Sequence, residues 1–212
     1  MNMKPVFRIA SAAAFMLAVS AGTQAASLLV NGSFESTAQA SGSWNVYNSV
    51  SGWTTTFGPG IEIRHNVAGT AQNGNNFVEL DSHPNPGNSW MAQTFNSPGA
   101  TLDVSYWYAA RSGTVAATNG IEVWLNGLNV GGGFSPGNTG LGSITTTWTL
   151  YTATLLGVAG SNTLEFRAVG TADTYGGSLD NVTVEAVPLP GSLGLLGAGL
   201  AALGFARRRR AS

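Results

Sequence analysis

An all-β sandwich is the fold class this sequence predicts, and three observations predict it. Gly, Asn, Ser and Pro punctuate the chain roughly every ten residues. The runs between them are short and rich in Val, Thr, Trp, Tyr and Phe. Several of these runs alternate with period two, and no long helical periodicity competes with them.

Taken in order, the candidate strands are "SLLV", "IEIRHN", "NFVELDS", "WMAQTFN", "TLDVSYWYAAR", "GIEVWLNG", "WTLYTATLL", "NTLEFRAVG" and "LDNVTVEAV". In "TLDVSYWYAAR" alternation puts Leu102, Val104, Tyr106 and Tyr108 on one face and Asp103, Ser105 and Trp107 on the other. "GIEVWLNG" repeats the arrangement, with Ile121, Val123 and Leu125 inward, Glu122 and Trp124 outward, and Asn126-Gly127 as a hairpin turn.

The two ends read differently. Lys4 and Arg8 precede an apolar stretch from Ala10 to Val19, and small residues follow at Ala25 and Ala26. That is the pattern of a secretory signal, so residues 1–26 are expected to direct export. Residues 27–186, about 160 in number, are the size of one domain with its own core. Residues 187–212 hold Val187-Pro188-Leu189-Pro190, an apolar run from Gly191 to Ala206 expected as a single helix, and Arg207, Arg208, Arg209 and Arg210. At ~1.5 Å per residue that run would be about 24 Å long, somewhat short of the ~30 Å hydrocarbon core, and the arginines would stay on the cytoplasmic side.

Charge and cysteine content exclude several function classes. The body holds all ten Asp and Glu but only Arg64, Arg111 and Arg167 as basic groups, a net charge near −7 with no lysine. Such a surface is a poor partner for nucleic acid, whose phosphates require Lys and Arg. With no cysteine, neither disulfides nor thiolate metal sites are available.

No catalytic constellation emerges. "GFSPG" at Gly133 to Gly137 matches a nucleophile-elbow pattern, but Pro136 follows the serine and has no N–H to stabilise an oxyanion. His65 and His83 have no metal spacing. Glu79 and Asp81 point the same way from one strand, a pair that could suggest glycoside chemistry but is commonplace on solvated faces. The body is expected to bind or build, not to catalyse.

Sugar is the expected ligand, because aromatic rings offer flat apolar platforms and nearby polar groups orient hydroxyls. Trp53 and Trp148 begin apolar strands, and Trp44 and Trp90 are placed to cover the core. Alternation sets Trp107 and Trp124 away from the core, beside Asp103, Glu122 and Arg111. If their strands are neighbours in one sheet, they form a carbohydrate platform. If the pleat is off by one residue, both are core.

"SLLVNGSFES" at the start of the body and "GGSLDNVTVEAV" at its end resemble the opening and closing strands of galactose-binding-like jelly rolls, a group that includes carbohydrate-binding modules. "SGWT", "GNNFVELDS", "MAQTFN" and "SYWYAAR" stand between them in compatible order. The resemblance implies that the two end strands lie together and hold a structural calcium. By position it puts forward Glu35 and Asp180 as carboxylate ligands, with carbonyls near Asn31 to Ser33 in addition. A hard cation wants several oxygens and would neutralise the two carboxylates. The plainer alternative is a solvated Glu35 and an Asp180 that holds a turn.

The tripartite tail is similar to the PEP-CTERM sorting signal: a Pro-x-Pro motif, an apolar span and a terminal arginine cluster. Leu189 stands where glutamate is usual in that family. The resemblance implies a transient stay in the inner membrane, processing by an exosortase-type enzyme, and release to the cell surface or extracellular matrix. A permanent single-span anchor is the alternative, whereas acylation has no cysteine to use. The functional expectation is association with extracellular polysaccharide or the cell envelope. A purely structural, self-associating surface protein is the runner-up, and a glycoside-active enzyme comes third.

Overall fold

The computed structural model describes residues 26–82, 87–131, 137–138 and 147–187. The signal segment, His83, Gly133 to Pro136 of "GFSPG", and everything beyond Val187 lie outside the described residues, the expected apolar helix among them. The strands are β1 (Ser43–Tyr47), β2 (Ser49–Val50), β3 (Trp53–Phe57), β4 (Ile61–His65), β5 (Phe77–Glu79), β6 (Trp90–Ser97) and β7 (Thr101–Ala109). They continue with β8 (Gly120–Leu125), β9 (Leu128–Asn129), β10 (Gly137–Asn138), β11 (Thr149–Leu156), β12 (Gly160–Val169) and β13 (Ser178–Ala186).

Sheet A has the order β1-β4-β5-β13-β7-β11, and sheet B the order β10-β8-β12-β6-β3-β2, with β9 added to β8 as a hairpin. All pairings are antiparallel. The chain crosses between sheets at almost every step, from β6 in B to β7 in A, β8 in B, β11 in A, β12 in B and β13 in A. This is the winding of a jelly-roll sandwich.

Alternation decides what lies between the sheets. Leu102, Val104, Tyr106 and Tyr108 of β7, and Ile121, Val123 and Leu125 of β8, are all buried in one core, as their spacing requires. Asn126 (φ 52°) and Gly127 (φ 78°) make the expected hairpin turn, both in the left-handed region that such a two-residue turn demands. Trp53 is the central side chain, only 1% exposed, with Phe34 and Phe166 at 5.8 and 6.1 Å between ring centroids. Its indole N–H donates to the Asn31 carbonyl at 3.1 Å. That bond ties the opening segment of the body to the core.

The opening segment departs from expectation. "SLLV" is not a strand; it runs alongside β13 through single bonds, Leu28 N–H to Val184 C=O and Val182 N–H to Gly32 C=O. Gly32 packs so closely that a Cβ there would collide with the Val182 carbonyl. β3 begins at Trp53 as expected, whereas β1, which periodicity missed, is short and half exposed, so its apolar residues do not alternate cleanly. In β13 a bulge between Asp180 and Thr183, with Asn181 at φ 48°, shifts the pleat by one residue. Leu179, Val182 and Val184 therefore all face the core while Asp180 and Thr183 face out.

Trp53→Ala should cost about 3–5 kcal/mol of stability through the cavity it leaves. Leu128→Ala, on the exposed β9, should stay within about 0.5 kcal/mol. Urea unfolding of both variants checks the contrast.

Candidate functional site

The outer face of sheet A is divided into a closed half and an open half. On the closed half, β4 and β5 present Glu62, Arg64, Phe77 and Glu79 outward, yet all four are buried. Phe77 lies under Trp148, edge-on at 6.1 Å, and the Trp148 N–H is held by the Thr70 carbonyl at 3.1 Å. Arg64 pairs with Glu62 (2.6 Å) and with Glu79. Arg111 reaches Glu79 at 3.1 Å and donates to the Thr174 carbonyl, with the exposed Tyr175 ring 4.5 Å from its guanidinium. The Gly176 N–H completes the shell around Glu79 at 2.7 Å. Burial pushes the Glu79 carboxyl up to about 8, against the pull of Arg64, Arg111 and the Gly176 N–H.

Glu79 and Asp81 are therefore not a solvated pair: their exposures are 0% and 1%. Asp81 accepts the Asp173 N–H at 3.0 Å, and burial raises its carboxyl as well. Both carboxylates hold the 173–176 loop to the sheet. His65 closes β4 by contacting the Gln39 carbonyl at 2.8 Å.

Glu35 and Asp180 converge on the loop at residues 72–76. Asp180 accepts the N–H groups of Gln72 and Asn73, both at 2.8 Å, and of Asn181 at 2.6 Å. Glu35 accepts those of Asn75 and Asn76 at 2.9 and 2.7 Å. Glu35 is exposed, whereas Asp180 is fully buried. Burial pushes the Asp180 carboxyl up to about 7, its three N–H donors oppose this, and the Glu35 charge adds to it. Neither carboxylate has an ion-pair partner among the described residues. Among those residues no group of three or more His, Asp or Glu collects. The donor set is two carboxylates with the Gln72 amide oxygen nearby, where it accepts from the Asn181 amide at 3.0 Å. These hard oxygens fit calcium chemistry and no softer metal.

The open half is formed by β13, β7 and β11. Cross-strand rows run Thr183–Ser105–Thr152 and Glu185–Asp103–Thr154. They line a shallow depression of about 500 Å³ on this face. Ser105 and Thr183 share a hydrogen bond at 2.7 Å, and Thr154 donates to Asp103 at 2.6 Å. Trp107, half-buried, continues the face two residues along β7, opposite Leu150. Its indole N–H, the Thr152 hydroxyl and the Glu185 carboxylate have no partner among the described residues.

Trp107 and Trp124 do not share a platform. Both face outward, as alternation predicts, but β7 belongs to sheet A and β8 to sheet B, so the sandwich separates them. Arg111 joins neither; Glu79 holds it at the closed end of sheet A. Period two reports which face a residue takes and is silent on which sheet its strand joins.

On the outer face of sheet B, Trp124 donates to Glu122 at 2.9 Å. The Arg167 guanidinium lies 3.7 Å from the Trp124 ring and 4.1 Å from that of Trp90, which packs on Phe57 at 4.7 Å. Arg167 also pairs with Glu165. Trp90 thus sits half-buried on the outside of the sheet and not over the core, and Trp44 is exposed on β1. No spacing in the sequence signals the Trp90–Arg167–Trp124 stack, because it joins three strands far apart along the chain.

Beyond the sandwich, residues 186–210 match the PEP-CTERM protein-sorting motif. The chain carries a PEP-CTERM sorting signal. The PEP-CTERM segment starts at Ala186, the last residue of β13, and includes Val187 to Pro190 and the arginines at 207–210. It marks an exported, surface-sorted protein. The chain is also 32% identical over 165 residues to a multifunctional-autoprocessing repeats-in-toxin protein of Vibrio vulnificus; the match takes in 77% of this chain but spans 3% of the toxin's length. Among solved structures it is similar to a CBM35 of Paenibacillus barcinonensis, with TM-score 0.43 and 23% identity over 69% of this chain and 100% of that one. It is also similar to a family 35 carbohydrate-binding module of Clostridium thermocellum, with TM-score 0.44 and 18% identity over 67% and 98%.

Arg64→Met removes the cation between two buried carboxylates and should cost about 3–5 kcal/mol. Urea unfolding at neutral pH tests this. A loss below about 1 kcal/mol would mean that the charge network does not support the closed half.

Proposed function

We propose that the sandwich is a non-catalytic glycan-binding module, sorted to the cell surface through its PEP-CTERM segment, that holds a polysaccharide along the open half of sheet A. The observation that carries this reading is the contrast between the two outer faces. On sheet B the Trp124 N–H and the Arg167 guanidinium are already paired within the protein. On sheet A the Thr152 hydroxyl and the Glu185 carboxylate line one open depression without a partner among the described residues, and the Trp107 N–H, likewise without one, lies on the same face beside it. An indole takes the apolar face of a sugar ring, while hydroxyl and carboxylate oxygens take its hydroxyls.

Asp103 and Glu185 also select the ligand. Two of the charges that make the body near −7 lie at this face, where they repel uronate or sulfated chains and leave neutral polysaccharide as the favoured class. Processing of the tail by an exosortase-type enzyme near Pro188 to Pro190, after a transient stay in the inner membrane, would free the body into the extracellular matrix. The structural calcium belongs to the same reading. Asp180, buried without a cationic partner, and Glu35 beside it would hold the ion where the opening segment, the 72–76 loop and β13 meet.

Trp107→Ala should weaken retention on a neutral insoluble polysaccharide by about 30-fold, the equivalent of ~2 kcal/mol for a central aromatic. Trp124→Ala should leave retention unchanged. Equal loss in both variants would reject sheet A as the binding face. EDTA should lower the melting temperature and calcium restore it, and Glu35→Gln should blunt that response. A melt indifferent to calcium would remove the ion from the account.

A further inference from the structure

We infer that β11 is a self-association edge through which two copies of this chain join their A sheets, with the second copy's β11 antiparallel to the first. β11 is the outermost strand of sheet A, eight residues long, and it pairs only with β7 among the described residues. The other sheet ends are shorter: β1 has five residues, β2 and β10 two each. Proteins protect long edges with charge, proline or bulges. β11 has none of these. The chain from Val123 to Leu164 contains no Asp, Glu, Lys, Arg or His, although the body around it is strongly acidic.

Side chains on this edge also lack cover. Tyr151, Ala153 and Leu155 point toward the core but are only half-buried, because among the described residues no strand lies beyond them. Leu150 is exposed, and Leu156 is 83% exposed.

The sequence of the strand argues that its partner is itself. Around Ala153 the run Leu150-Tyr151-Thr152-Ala153-Thr154-Leu155-Leu156 is nearly palindromic. An antiparallel two-fold pair keeps the pleat continuous only if the dyad falls on a residue. With Ala153 on the dyad, Leu150 meets Leu156, Tyr151 meets Leu155 and Thr152 meets Thr154 of the other copy. Outer residues then match outer ones and inner match inner, as an isologous interface requires. Electrostatics point to the same edge, since two bodies near −7 repel except where the approaching strip is uncharged. Thr152 and Thr154 also line the depression on sheet A, so pairing would place two such depressions side by side across the dyad. The pairing itself rests on the edge and not on the glycan reading.

Hydrogen exchange of the full chain at low and high concentration, with sedimentation in parallel, tests the inference. Residues 149–156 should exchange about tenfold more slowly where dimer forms, while residues 43–47 of β1 are unaffected. Leu150→Glu with Leu156→Glu places like charges opposite each other and should abolish both dimer and protection. Leu156→Glu alone, at a nearly fully exposed position, should weaken both and serves if the double variant does not fold. Association without protection at 149–156, as tail-driven assembly would give, overturns the inference. So does protection that survives the glutamates.

Discussion

The arrangement depends most on the buried charges around Glu79. A carboxylate at the outer side of a sheet would ordinarily be solvated. Here Arg64 meets it along the sheet, Arg111 comes from the segment after β7, and the Gly176 N–H caps it from the loop before β13. Burying such groups is costly unless each is paired, and the contacts from Arg111 and Gly176 draw other pieces of chain over the sheet. The result is a lid over the β4–β5 end of sheet A. Asp81, accepting the Asp173 N–H, fastens the same 173–176 loop from the next position.

That lid also determines where a ligand can bind. Sheet A has six strands; Phe77 under Trp148 and the Glu79 shell fill the outer face of β4 and β5, so among the described residues the open depression lies on β13, β7 and β11. Sheet B resolves its outer face differently, by stacking Arg167 with Trp90 and Trp124 and pairing it with Glu165. Aromatic content alone does not distinguish the two faces. The difference lies in which polar groups remain unpaired.

The uncharged stretch from Val123 to Leu164 contributes to both properties of the open half. It supplies neutral hydroxyls to the depression and leaves the neighbouring edge without the charges that would keep another strand away. Glycan contact and strand pairing therefore adjoin on one sheet. The sorting segment begins where β13 ends, and β13 borders the same open half, pairing with β7 through Ala186.

Period-two alternation and turn residues are local properties, and they by themselves determined the sandwich, the inward faces of β7 and β8, and the Asn126-Gly127 hairpin. The sorting motif at the end, and the export signal expected at the start, are equally local, being linear patterns of charge and apolar length. Local order could not decide which strands become neighbours. Trp107 and Trp124 have the same pattern of alternation, yet the crossings between sheets put them on opposite faces. Glu79 and Asp81 look like a solvated pair until Arg64, Arg111 and the 173–176 loop arrive from elsewhere in the chain. Glu35 and Asp180 could be linked in the sequence through family resemblance, while their meeting at residues 72–76 needed the folded loop. Sequence periodicity reports how a strand exposes its sides. Only long-range pairing, driven by burial of the core and satisfaction of buried charge, assigns each strand a sheet and each side chain its company.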